Sequence, residues 1–267
     1  MLKSGHNFFF ASFDPGGVVT VDKPPVGLWL DSLPAAMFGV SGWSVSLVHA
    51  MAGLGSVGLL YALVRPVYGR ATALLAALAV ALMPAAVAMD SRNEPDSIVV
   101  FILVLTAFCV VRAARSGRPL WLLAGAVTAG IGFNTKMWVA LVPMPVFLAY
   151  YIVAGPHTWR LRLVHAGVAL GVLAVVSLSW VAVVAATPPE RRPYVGSTRD
   201  NSVWTLVVEY NGLQRLGGFI GPRPIRQQQP PGPGKAAPVP PTGQLPQPPS
   251  GPGIPPDGPA PPGPGLP

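Results

Sequence analysis

Charge is scarce in this chain. Of its 267 residues only 10% are Asp, Glu, Lys or Arg, against about 25% in soluble globular proteins. Composition therefore excludes an ordinary water-soluble fold. Cysteine is nearly absent: Cys109 stands alone in an apolar run. That excludes an internal disulfide and a cluster of metal-binding thiolates, and leaves the redox compartment unreadable. Met1–Val21 lacks the continuous apolar stretch of a secretory signal peptide, and no phosphate-cradling glycine loop is present. Aromatic side chains are missing from residues 222–267, which instead hold 19 Pro and 8 Gly in 46 positions. Such a segment cannot bury enough surface to fold and reads as a disordered, extended tail.

What remains is strongly apolar. Hydrophobic residues make up 51% of the chain, and they gather in six segments with almost no charge: Trp43–Val64, Ala71–Met89, Ser97–Ala114, Leu120–Asn134, Met137–Ala154 and Leu163–Ala186. Each is bounded by charged or turn-forming residues, as a helix in hydrocarbon requires. The predicted fold class is an all-α integral membrane protein with about six transmembrane helices. Leu120–Asn134 is short, spanning only about 22 Å as a helix against a hydrocarbon core of about 30 Å. With its partner it could instead form a shallow hairpin. Pro84, Pro143 and Pro145 are expected to kink or interrupt their helices, and the glycines of Gly53–Gly58 and Gly125–Gly132 to permit close helix contact.

The net charge of +8 sets topology here and does not point to nucleic acid. With Trp43 starting outside the cytoplasm, seven of the nine basic residues between Trp43 and Ala186 fall in cytoplasmic turns. The positive-inside rule then puts the N-terminal segment, the Met89–Asp96 loop, the Asn134–Lys136 turn and everything after Ala186 on the extracytoplasmic side of a cell membrane. Pro24–Phe38, opened by two prolines that suit a helix first turn, is too short and too polar to span and reads as an interfacial helix. Four regions result: 1–42, an extracytoplasmic and juxtamembrane segment; 43–186, the transmembrane bundle; 187–221, an outer loop region; and 222–267, the tail.

Three polar clusters converge on the predicted outer face: Asp22 and Lys23, Ser91 through Asp96, and Asn134 through Lys136. Lys23, Arg92 and Lys136 suit a phosphate or diphosphate held by charge-assisted hydrogen bonds. Asp22, Glu94 and Asp96 suit a general base, a ligand for a divalent metal, or an orienter of sugar hydroxyls. Placed at the lipid surface, both favour a lipid-linked substrate, and the crossings lack the buried charges of an ion conductor. His49 and His165 read as hydrogen-bonded structural residues. Tyr194 and Trp204 could stack on a sugar or anchor the interface.

Several of these motifs carry a family resemblance. Phe8-Phe9-Phe10-Ala11-Ser12-Phe13-Asp14-Pro15-Gly16, then Val19-Thr20-Val21-Asp22-Lys23-Pro24-Pro25, resembles the N-terminal part of bacterial ArnT-like glycosyltransferases, relatives of the aminoarabinose transferase and the protein O-mannosyltransferases. Ser91–Asp96, Gly132–Met137 and Arg192–Ser202 extend the likeness over about residues 5–221. The resemblance implies a partial GT-C fold, a polyprenyl-phosphate-linked sugar as donor, an extracytoplasmic acceptor and inversion at the anomeric carbon. It places Lys23 by the donor phosphate and Asp22 at a metal or orienting position, although Asp is one methylene shorter than the family's Glu. Arg92, Glu94, Asp96 and Lys136 match further family positions. Family members begin with another helix and an outer loop bearing an acid proposed as base; Asp14 does not align with it. By that comparison the chain is expected to be impaired alone and to be a truncated gene product, one with a mis-called start, or half of a split gene completed by a separately encoded remainder. The alternative is a non-catalytic membrane protein that binds a lipid carrier, or a transporter fragment.

Overall fold

The computed structural model of the protein describes residues 1–12 and 14–214. The predicted tail and residues 215–221 lie outside the described residues. The chain folds into helices α1 (Gly5–Phe9), α2 (Val26–Phe38), α3 (Gly42–Ala81), α4 (Pro84–Asp90), α5 (Asp96–Ser116), α6 (Pro119–Lys136), α7 (Met144–Ala154) and α8 (Trp159–Ala186). A 3₁₀ turn, Met137–Leu141, joins α6 to α7, and a π-helix, Thr205–Leu213, follows the outer loop.

Among the described residues three helices are long and apolar enough to cross a membrane, α3, α5 and α8. A fourth span results if α6 with its 3₁₀ turn and α7, bent by 91° at the break, are counted as one. The expected six separate crossings are thus corrected to three or four by helix length. The physical reasons are local. Trp43–Val64 and the start of Ala71–Met89 run together as the 40-residue α3, whose backbone leaves helical geometry only at Gly69 (φ 82°, ψ 176°). Past that point the chain comes back on itself, since Val80 and Ala81 share a cavity with Gly53 and Ser56. Pro84, unable to accept a place in a helix interior, opens the short α4 instead. Pro143 and Pro145 similarly divide Met137–Ala154, with Pro143 capping α7. The interfacial segment folds as α2, begun after Pro25 and stopped at Gly39 (φ 82°).

The helices pack through small residues. A Cβ on Gly130 of α6 would stand 2.6 Å from Val176 Cβ of α8, and one on Gly132 would stand 3.0 Å from Ile102 Cγ2 of α5. Without a hydrophobic force between helices in lipid, such close approach is what supplies dispersion contact. Asn134 adds polar glue by donating to the Val176 carbonyl at 2.8 Å. The outward surfaces stay apolar and open: Leu54, Leu75, Val153 and Val175 are all exposed, as lipid-facing side chains should be.

At one end of the bundle a buried cluster joins Phe10, Phe133, Met137, Trp180, Val195 and Leu206. Three indole N–H groups tie the backbone to it. Trp29 donates to Phe8 O (2.7 Å), Trp180 to Phe9 O (3.1 Å) and Trp138 to Val207 O (2.9 Å). The 187–203 loop is laid against the N-terminal segment by a parallel bridge between Val19 and Tyr194. Gly196 lies so close that a Cβ there would collide with the Thr20 carbonyl. Arg192 braces the loop, donating to Asn201 Oδ1 and Asn201 O at 2.7 Å each and to Thr187 O at 3.2 Å.

Candidate active site

The DKPP segment is fixed before any ligand is considered. Pro24 and Pro25 are buried and feed directly into α2, so Asp22 and Lys23 stand at the entrance to that helix. Asp14, partly exposed, accepts from the backbone N–H groups of Val18 and Val19. These N–H groups, Val19 first, hold its carboxyl below the ordinary carboxylate value. Asp14 is therefore the brace of a turn.

Lys23 Nζ donates to Asp22 Oδ1 at 2.8 Å, with both side chains partly exposed. Asp22 is gripped from behind by the π-helix: Tyr210 Oη donates to its Oδ2 at 3.3 Å and Asn211 Nδ2 to its carbonyl at 3.2 Å. π-Helical turns occur mostly where function demands an irregular backbone, and here the wide coil lets two consecutive residues reach one aspartate. Sequence reasoning missed Tyr210 and Asn211 as partners of Asp22.

Across from this pair, Lys136 at the end of α6 forms an ion pair with Asp96 at the start of α5. The Ser91–Asp96 loop and the Asn134–Lys136 turn therefore lie at the same end of the bundle. Met137, next in the chain, is buried and holds φ at 49°, a left-handed conformation that non-glycine residues adopt at a cost of order 1–3 kcal/mol. The strain turns the backbone away so that Lys136 faces Asp96.

Beside Asp22 and Lys23 lies a cavity of about 150 Å³, lined also by Gly27, Asp31, Asn93 and Thr135; Asp96 and Lys136, next in the chain to its wall residues Pro95 and Thr135, do not line it. Gly27 allows α2 to approach Pro95 and Thr135, 3.3 and 3.6 Å from where its Cβ would sit. Arg92 and Glu94 are exposed on the loop on either side of Asn93 and do not line the cavity. Tyr194 and Trp204 are also exposed and outside it. His165 meets the Tyr151 hydroxyl at 2.8 Å, and His49 packs against Asp31.

A divalent metal at Asp22 does not fit this arrangement. One carboxylate oxygen is taken by Lys23 and the other by Tyr210, and no group of three His, Cys, Asp or Glu among the described residues could hold an ion.

The apolar spans and the helical architecture are those of a multi-pass membrane protein with a GT-C-type fold. The chain belongs to the dolichyl-phosphate-mannose-protein mannosyltransferase family, whose sequence profile matches residues 22–180. It is 46% identical over 218 residues to YkcB and 45% identical over 218 residues to YycA, both from Bacillus subtilis (strain 168) and both named, provisionally, as mannosyltransferases. These alignments take in 82% of this chain but 30% and 32% of the two relatives, so the chain spans about a third of their length. In fold it is similar to ArnT from Cupriavidus metallidurans in the apo state, with a TM-score of 0.58 at 19% identity over 80% of this chain and 42% of that one.

Proposed function

We propose that the chain carries the donor-binding part of a membrane glycosyltransferase that moves a sugar from a polyprenyl phosphate to an extracytoplasmic acceptor with inversion. The observation that carries this reading is the cavity lined by Asp22, Lys23, Asp31 and Asn93 at the end of an apolar bundle, whose wall residues Pro95 and Thr135 are the chain neighbours of the Asp96–Lys136 ion pair. A lipid tail can stay in the bilayer while its phosphate meets those cations.

The chemistry follows from what each group has left to give. The Lys23 ammonium has three N–H donors, and Asp22 occupies one. The other two are free in direction to meet phosphate oxygens. As the acceptor oxygen attacks the anomeric carbon and the sugar–phosphate C–O bond breaks, negative charge grows on the leaving phosphate. Lys23 stabilises that charge more than it stabilises the intact donor, which is the condition for catalysis. The acceptor hydroxyl loses its proton as the new bond forms on the opposite face. Lys136 adds positive potential beside the cavity, with Asp96 fixing its position. To Arg92 and Glu94, exposed on the loop outside the cavity, this reading assigns the outer phosphate oxygens and the sugar hydroxyls respectively.

Orientation is supported by the separation of charge. α5 is about 30 Å long, matching the hydrocarbon core. Asp96 begins it, and Arg112 and Arg115 line a cavity with Ala62 and Pro66 towards its far end. We place that basic end in the cytoplasm. The reversal at Gly69 supports counting α3 as two limbs.

The test is turnover of a radiolabelled polyprenyl-phosphate hexose in liposomes, with a cell-envelope fraction as acceptor, by a full-length relative in which this chain replaces the matching segment. The expected result is loss of label from the lipid pool, reduced on the order of 10²–10³-fold by Lys23→Ala. Equal turnover by wild type and Lys23→Ala would overturn the role of Lys23. Lipid binding without any turnover would favour a non-catalytic carrier-binding component.

A further inference from the structure

Behind the cavity sits a pair of ionisable groups that the reaction above does not use. Asp31 of α2 is nine-tenths buried, and His49 of α3 is fully buried. His49 Nε2 stands 3.2 Å from Asp31 Oδ1, but out of line for a hydrogen bond. Oδ1 and both ring nitrogens are buried without an aligned partner among the described residues. Asn93 and Asp90 stand close to the same imidazole. Buried polar atoms are nearly always satisfied; here Asp31 stands on a cavity wall with His49 behind it, joined to it by charge and not by an aligned hydrogen bond, an arrangement that points to a role besides packing.

The wall position gives the direction. Asp31, Leu28 and Asn93 line the 150 Å³ cavity that holds Asp22 and Lys23. The same three residues line an adjoining cavity of about 350 Å³ reached past Lys3, Asp14 and Val45. Asp31 is thus the carboxylate at the partition between the two. With Oδ1 turned to His49, Oδ2 is the oxygen left for a ligand. A carboxylate here would repel the phosphate that Lys23 attracts, and it would accept a hydrogen bond from a hydroxyl.

We propose that Asp31 binds a hydroxyl of the sugar carried on the lipid phosphate, and that His49 is the positioning residue that orients it. This rests on the donor-binding reading above and adds to it the group that distinguishes a glycosylated carrier from a bare one. Phosphate recognition belongs to Lys23, and sugar recognition to the α2–α3 pair.

The experiment compares binding of sugar-free undecaprenyl phosphate with a panel of undecaprenyl-phosphate monosaccharides to the full chain in nanodiscs. Wild type is expected to bind at least one of the sugar-bearing lipids more tightly than the bare lipid. Asp31→Asn should weaken that binding about tenfold, while the affinity for undecaprenyl phosphate stays within twofold, which also shows that the variant is folded. His49→Leu should behave like Asp31→Asn, and His49→Gln, which keeps a donor, should recover most of the preference. A wild type that does not discriminate between bare and glycosylated lipid overturns the inference and leaves phosphate binding standing. So does an Asp31→Asn chain that keeps its preference, or one that loses both lipids equally. If wild type binds no polyprenyl phosphate at all, the donor-binding reading fails first and this inference falls with it.

Discussion

Gly196 offers the most direct test of how the outer loop holds the DKPP segment. A methyl group at this position would run into the Thr20 carbonyl, which is backbone and cannot swing aside as a flexible side chain can. Overpacking of this kind costs about 1–3 kcal/mol. Relief by separation of the two segments would sacrifice the Gly196 N–H to Thr20 Oγ1 bond (3.0 Å). It would also strain the Thr20 N–H to Tyr194 O and Tyr194 N–H to Val18 O bonds (2.9 and 2.8 Å). Each is worth about 1 kcal/mol net, so Gly196→Ala should destabilise this contact by about 2–4 kcal/mol. At 1.4 kcal/mol per tenfold, hydrogen exchange at the Thr20 and Tyr194 amides should accelerate between about 30-fold and several hundredfold. Exchange of the detergent- or nanodisc-embedded chain, resolved by mass spectrometry, reads this directly. Gly167→Ala is the control, because nothing lies within 4 Å of a Cβ there. Unchanged exchange at Thr20 in Gly196→Ala would refute the claim that the loop clamps the segment bearing Lys23.

Four other outcomes are expected. Lys136→Met should lower thermal stability, by about 1–3 kcal/mol after allowing for partial exposure of the pair, and the added change Asp96→Asn should recover much of the loss; additive losses in this cycle would show that the pair is not coupled. Gly130→Ala should force α6 from α8 and cost about 1–3 kcal/mol, seen as a lower unfolding temperature in detergent. Arg192→Lys cannot reproduce the two-pronged grip on Asn201, so protease cleavage within 187–203 should speed up; an unchanged cleavage rate would remove Arg192 as the brace. Asp14, whose folded-state carboxyl is held below 3.8 by the Val19 and Val18 N–H groups, contributes stability that is present above the ordinary carboxylate value and lost as pH falls through its lower folded value. Exchange at Val18 and Val19, corrected for its intrinsic pH dependence, should therefore rise only at acid pH below about 3.8, and Asp14→Ala should abolish that step.

The sequence was legible where the signal was local. Two prolines and a glycine marked the ends of α2. Pro84 and Pro143 marked interruptions, since a missing N–H acts on the residue that lacks it. Gly130 and Gly132 marked close packing within a single apolar run. The turn at Gly69 was legible as the break between Trp43–Val64 and Ala71–Met89, flanked by Arg65, Pro66 and Arg70; what was not legible is how short the helices between Pro84, Pro143 and the later turns would be, which leaves three or four spans by length. Of the polar residues, Asp22, Lys23, Asp96 and Lys136 were identifiable by their density at the mouths of apolar segments. Arg92 and Glu94 looked the same in the sequence, yet stand outside the cavity that Asn93 lines. Asp31 and His49 are 18 positions apart on different helices, and Tyr210 and Asn211 lie 188 and 189 positions from Asp22. Partnerships at that range have no periodicity to betray them.

The coil from Thr205 to Leu213 makes the outer segment sensitive to length. Removing one residue from it would tighten the winding to 3.6 per turn and swing either Tyr210 or Asn211 about 100° out of reach. A one-codon deletion there should unlatch Asp22 from half its support, whereas replacing the exposed Val208 in place should pass almost unnoticed.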